Sequence, residues 1–345
     1  MVKKLAERIR HHPIAAFFVL AYGITWPPLI VVLFLLPESM VAQGLLGSIA
    51  VFGPALAGVA VSRVSHPGSR AGSRAGRLCA FASALAVAAA VLVLFLWQVR
   101  GVSPNVGVLV FATLLAVLPA YVVSGAFSRS RGVREYLRAL VRPKGSLIWY
   151  LIALLTFPAV QLLGVLITRV FGSAVEIDTG GHSTQAVLGV AVLTFLHGFF
   201  FAGGINEETG WRGFALPQLQ SRYCPLVAAS IVWIFWALWH LPYDLASGDS
   251  AVQILQNRVF FNFLWSILFA WVYNRSNGSV LAPALFHPAM NTSGSMLPRT
   301  DAATVLFVVL TVFAVVYDRM WCKPPPVDPD PARHMMVRDC LIRTL

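Results

Sequence analysis

Long apolar stretches alternate along the chain with short polar or basic segments. Ten of them are legible, at about 13–36, 41–62, 78–98, 106–127, 147–171, 187–216, 225–243, 256–273, 279–295 and 302–319. Most approach the roughly 20 residues that carry an α-helix across a hydrocarbon core, and they are far too long for strands. The pattern predicts an all-α, polytopic transmembrane helical bundle of about ten spans. Pro27 and Pro28, after Trp26, predict a bend in the first span. That stretch is too long for a cleavable signal peptide and lacks a small-residue cleavage site, so it is expected to stay as a span. Pro324 opens a polar, proline-rich tail expected to be disordered. No internal repeat is evident, which argues against transporter folds built from two related halves.

Composition agrees with the pattern. Hydrophobic residues make up 58% of the 345 positions and charged residues only 12%, and the mean hydropathy is +0.74. The net charge of +12 is carried by short clusters between apolar runs. Arg63, Arg70, Arg74 and Arg77 occupy one such segment, and Arg129, Arg131, Arg134, Arg138, Arg142 and Lys144 another. The alternate loops hold little basic charge. With ten spans, every basic loop and both termini fall on the cytosolic side of a cell membrane. No RNA- or DNA-binding motif surrounds these clusters, so the basic charge points to membrane lipid and not to nucleic acid. Cys79, Cys224, Cys322 and Cys340 all map at or near the cytosolic face and lack metal-ligand spacing; Cys340 does not form a C-terminal prenylation box. In the second basic segment, Leu137, Leu140 and Val141 share a helical face ringed by arginines. It reads equally as an interfacial helix in the headgroups or as a solvated loop.

Three polar clusters interrupt the apolar spans. The first is Glu207, Glu208 and Arg212; the second is Trp236 with His240; the third is His287 with Asn291. A charge at that depth costs on the order of 2.5–3.5 kcal/mol by insertion scales, so it is expected to have a partner or a task. Glu208 and Arg212 are four apart on one helix face and form a natural ion pair. Glu207, about 100° away on a regular helix, is left without an evident partner. Measured from the nearest break, Glu207 lies roughly 15 Å along its helix, His240 roughly 22 Å and His287 roughly 13 Å. All three depths fall within an approximately 30 Å core, so the clusters can converge. Singly, each has a bland explanation: an ion pair can be structural glue, and a lone histidine a packing residue. His197, about 80° from Glu207 on the same helix, is assigned to packing.

A carboxylate beside an imidazole can take a proton from water attacking a peptide carbonyl. Hydrogen-bond donors such as His287 and Asn291 can stabilise the oxyanion that follows. The same residues offer a second route, because two histidines and one carboxylate (Glu207, His240, His287) form a zinc set with a position open to water. No His-Glu-x-x-His helix supports that route, and a metal-independent site is expected. A non-enzymatic membrane protein that binds a partner or confers immunity would use the same polar chamber differently. A transporter would need a polar path across the membrane, whereas these charges concentrate at one level.

Taken in order, Glu207-Glu208-x-x-x-Arg212, Trp236-x-x-x-His240 and His287-x-x-x-Asn291 resemble the CPBP family, the CAAX-protease and bacteriocin-processing intramembrane proteases that include Rce1. The resemblance covers roughly residues 187–296. It implies an intramembrane endopeptidase acting on membrane-associated proteins or peptides. It places Glu207 and His240 at the catalytic positions, His287 and Asn291 at the oxyanion positions, and Glu208, Arg212 and Trp236 in support. Family members have been described both as glutamate proteases and as metalloproteases, so zinc stays the alternative cofactor. Trp236 stands where the family usually has Phe. The expected division is residues 1–185 as N-terminal spans with basic loops, 186–296 as the catalytic core, and 297–345 as a last span and tail. Ala- and Arg-rich composition suggests a bacterial plasma membrane, where a bacteriocin-related or membrane-protein-processing role fits better than a prenylated substrate.

Overall fold

The computed structural model describes residues 2–68 and 72–323; the predicted polar tail, Cys340 and Arg70 lie outside them. The chain opens with α1 (Val2–His11) and α2 (Pro13–Ile30), which runs through Pro27 and Pro28 into a π-helical turn, Val31–Leu35. Proline lacks an N–H, and the turn beyond these two prolines widens instead of stopping. Next come α3 (Met40–Val51), α4 (Gly53–Ser65), α5 (Arg74–Gln98) and α6 (Val106–Ser124), which ends in a 3₁₀ turn, Gly125–Phe127. The short α7 (Arg131–Val141) precedes α8 (Ile148–Val170) and α9 (Thr184–Phe201). Two π-helical segments, Gly204–Glu208 and Trp211–Ala215, lead to α10 (Leu216–Gln220). Then follow α11 (Pro225–Trp239), α12 (Leu241–Ala246), α13 (Ala251–Ile254), a π-helical segment Leu255–Phe261, α14 (Asn262–Arg275), α15 (Leu281–Met296) and α16 (Asp301–Tyr317). No strand occurs among the described residues.

Side-chain caps start several of these helices. Ser39, Ser73, Asn105, Ser183 and Thr300 each accept a backbone N–H from the first turn of α3, α5, α6, α9 and α16. Such caps satisfy donors that a helix end otherwise leaves bare.

Helices fill all ten predicted intervals, and the predicted helical polytopic bundle is what the chain forms. Among the described residues, six helical stretches are long and apolar enough to cross a membrane, or seven if α3 and α4, bent by 46° at Phe52, count as one. α16 is apolar but short, and α14 and α15 are shorter still and more polar. The reason is physical: α14 and α15 face protein. Nine of 14 residues in α14 and nine of 16 in α15 are buried, against three of 25 in α5. A helix covered by other helices does not need the uniform apolarity that lipid demands, and it has room for polar groups. α5, α6, α8 and α16 instead expose rows of leucine and valine, which makes this a multi-pass membrane protein.

Two core clusters fix the centre. One gathers Trp211, Trp236, Phe269, Phe286 and Phe157; the other packs Ile205, Val280 and Ala284 against Val133, Leu137 and Leu140 of α7. α7 is therefore a helix, and its apolar face lies on the protein. The predicted face shifts accordingly, with Val133 joining Leu137 and Leu140 while Val141 is only half-buried.

Candidate active site

The stretch from Thr184 to Gln220 is 37 residues long, too long for one straight crossing, and it is interrupted where the acids begin. α9 ends at Phe201, and Gly203 takes φ of 110°, a conformation that favours glycine. A Cβ there would also sit 2.4 Å from the His287 ring, so the glycine lets α15 approach. Asn206 then staples the turn: its Oδ1 accepts from the Gly203 N–H (2.8 Å) and its Nδ2 donates to the Val51 carbonyl in α3 (3.1 Å). The expected continuous helix is corrected to a break followed by π-helical turns. In a π-turn, bonds close five residues on and each residue rotates less than in an α-helix. Glu207 and Glu208, expected to diverge, are both buried, at 7% and 0% exposure.

Glu208 and Arg212 form a fully buried ion pair, with Nη1 3.0 Å from Oε1. The same Oε1 lies 2.7 Å from His287 Nδ1. Arg212 reaches Ser266 Oγ at 3.4 Å, and its guanidinium lies 4.3 Å from the Phe269 ring centre and 4.7 Å from that of Trp236. A desolvated guanidinium between two aromatic faces gains cation–π attraction, which offsets part of its burial.

Glu207 is held separately. Its Oε2 accepts a 2.7 Å hydrogen bond from the Trp236 indole N–H. His240 caps the end of α11, where Pro242 interrupts the helical bonding, and its Nδ1 lies 2.7 Å from the Trp236 carbonyl. A carbonyl only accepts, so Nδ1 carries the hydrogen, and the neutral ring presents a lone pair at Nε2. The Trp236 ring centre is 5.7 Å from that of His240 and 5.6 Å from that of His287. One indole is thus the hub for Glu207, both imidazoles and Arg212.

Asn291 stands apart. The expected pairing of His287 with Asn291 is corrected: His287 is buried against Glu208, whereas Asn291 is exposed and donates to the Ala202 carbonyl (3.1 Å). Four residues apart on α15, the two share a face, but the chain turning at Gly203 offers Asn291 a nearer acceptor. The zinc set of Glu207, His240 and His287 is not assembled as a ligand group: among the described residues no three His, Cys, Asp or Glu side chains are placed to hold a metal ion. His197 lies in a stack between Phe95 and Phe201, with ring centres at 4.0 and 5.6 Å.

The fold adds partners that the sequence did not single out. Asp244, one turn beyond His240, forms a bidentate ion pair with Arg258 (2.5 and 2.8 Å), and the Arg258 carbonyl accepts from the Trp233 indole (2.8 Å). Arg258 therefore grips the helix on both sides of His240. An acid in an expected loop and an arginine 14 residues on carried no signal in the sequence. Asp244→Ala is expected to destabilise the protein by about 3 kcal/mol, because it leaves a mostly buried guanidinium unpaired. Denaturation in detergent checks this, and wild-type stability would refute it.

Residues 183–293 match the family model described as Type II CAAX prenyl endopeptidase Rce1-like. This chain carries an Rce1-like region. The region starts at the Ser183 cap of α9, ends within α15, and contains all seven of the residues gathered or flanked above. A 181-residue stretch is 29% identical to a protein named CAAX prenyl protease 2 from Methanococcus maripaludis, covering 49% of this chain and 65% of that relative's length. α1–α8 lie before 183–293 and α16 after it; α4, α5 and α8 pack directly on the Rce1-like region.

Proposed function

We propose that the protein is an intramembrane endopeptidase that hydrolyses a peptide bond of a membrane-associated protein or peptide. The observation that carries this reading is the gathering of Glu207, His240 and His287 around the Trp236 indole, within an Rce1-like region. The Glu207 oxygen not bonded to Trp236, and His240 Nε2, take the proton of a water that attacks the scissile carbonyl. Nucleophilic water adds to the carbonyl carbon, and the proton passes on to the leaving amine as the C–N bond breaks. Asn291 keeps one amide N–H beyond the one given to Ala202, and it serves the developing oxyanion. The Glu208 carboxylate orients the His287 ring through the bond at Nδ1, and a hydrogen on Nε2 lets the ring donate to the same oxyanion. No step passes through a metal.

The basic segments support an orientation in which both termini and the ends bearing Arg63, Arg129 and Arg131 face the cytosol of a bacterial plasma membrane. The named relative is, by its name, a CAAX prenyl protease, and the substrate of this chain belongs to the wider class of membrane-tethered proteins. Purified protein in lipid nanodiscs is expected to cleave a membrane-tethered reporter at an unchanged rate after treatment with a zinc chelator. No cleavage of any membrane-tethered reporter would overturn the reading, and loss of cleavage on chelation, restored by zinc, would redirect it to the zinc route.

A further inference from the structure

The catalytic reading leaves unused a concentration of basic charge. The fold assembles it from three segments distant in sequence. Arg131 N–H donates to the Gly68 carbonyl (3.0 Å), and Gly132 sits so close to the Ser62 carbonyl that an added Cβ would lie 2.1 Å from it. Arg10 Nε donates to the Val64 carbonyl (3.0 Å). These contacts bring exposed Arg10, Arg63, Arg129 and Arg131 to one face, with exposed Arg142 and Lys144 at the far end of α7. Glu135 is the one acid on α7, and it is already paired with Arg131 (2.8 Å).

The level of this face identifies its partner. α4 ends there at Ser65, α5 begins at Arg74, the extension of α6 ends at Phe127, and α8 begins at Ile148. Phe127, Leu147 and Ile148 expose apolar side chains beside the arginines, at 42, 71 and 51%. A ring of cations bordered by exposed apolar side chains at helix ends is the boundary between headgroups and acyl chains. A soluble acidic protein would meet the cations but not that apolar border.

α7 also touches the site. Its Tyr136 hydroxyl donates to the Thr209 carbonyl (2.8 Å), one residue past Glu208, and its Ala139 carbonyl accepts the Val280 N–H (2.9 Å) just before α15. We propose that α7 and the segments packed on it are a docking surface for anionic phospholipid headgroups, and that occupancy steadies the Glu207–Glu208 turn through Tyr136. Tyr136 is a positioning residue in this scheme, since it acts through Thr209 and not on substrate. The surface stands without the proteolytic reading; only its effect on rate rests on that reading.

The test places the full chain in nanodiscs of phosphatidylcholine alone or with phosphatidylglycerol. It follows amide hydrogen exchange at residues 204–216 and, separately, reporter cleavage. Phosphatidylglycerol is expected to slow exchange in that segment several-fold and to raise cleavage several-fold. The combined variant Arg129→Gln, Arg131→Gln, Arg142→Gln, Lys144→Gln is expected to show one exchange rate in both lipids. Tyr136→Phe is expected to keep quenching by a brominated anionic lipid but to lose the lipid effect on exchange. Equal wild-type exchange in the two membranes would overturn the proposal, as would an equal response to soluble polyglutamate in neutral nanodiscs. Slowed exchange with no cleavage in any membrane would sink the protease reading and leave this one standing.

Discussion

Glu207→Gln lowers the rate of reporter cleavage by about 10²–10⁴-fold, the range that a positioned general base contributes. Glutamine has nearly the shape of glutamate and still accepts the Trp236 N–H, so the hub stays packed while the proton acceptor is gone. His240→Ala is expected to cost a comparable factor, because it removes the Nε2 lone pair left by the bond at Nδ1. The informative measurement is the double variant. Two groups that act on one water are lost together, so the double variant should be little slower than either single one. Losses that multiply would mean that the two act on separate steps, and full activity of Glu207→Gln would end the assignment. Thermal denaturation and expression of the variants, measured beside the rates, separate lost chemistry from lost folding.

Arg212→Met destabilises the fold by about 3–5 kcal/mol. The guanidinium is fully buried, and its removal leaves Glu208 with only His287 to balance a fully buried carboxylate. The cost comes from the charge left behind, so it should shrink when that charge is removed too: Arg212→Met with Glu208→Gln is expected to be more stable than Arg212→Met alone. Chemical denaturation in detergent reads both. A single variant as stable as wild type would show that the pair contributes nothing to holding the core. The activity of the double variant is a separate question, because His287 then loses the carboxylate that orients its ring.

Much of this was legible in the residue pattern. Apolar length located the helices to within a few residues, and spacing of four predicted the Glu208–Arg212 pair, because both depend on neighbours in sequence. Depth counting brought Glu207, His240 and His287 to one level. What escaped was set by contacts between distant segments. Nothing near Glu207 announces that its partner is the indole of Trp236, 29 residues away. His287 looked paired with Asn291 because helix periodicity sees only its own helix, and Glu208 arrives from another. The surroundings of α14 and α15 were hidden for the same reason: hydropathy measures what a helix is made of, and not whether protein or lipid covers it. Tyr136 and Arg258 had no chance of being noticed, as a tyrosine in a basic segment and an arginine at the start of an apolar run are common.

The kink at Gly203 has one last consequence, for how this chain tolerates change. Asn206 ties everything after the glycine to α3, so the angular phase of the two acids is set locally and not inherited from the helix above. An inserted or deleted residue early in α9 would turn its lipid-facing side by a fraction of a turn, and the joint would absorb the rotation before it reached Glu207. The outer wall of the molecule is thereby free to drift with the thickness and makeup of its host bilayer while the acids keep their aim.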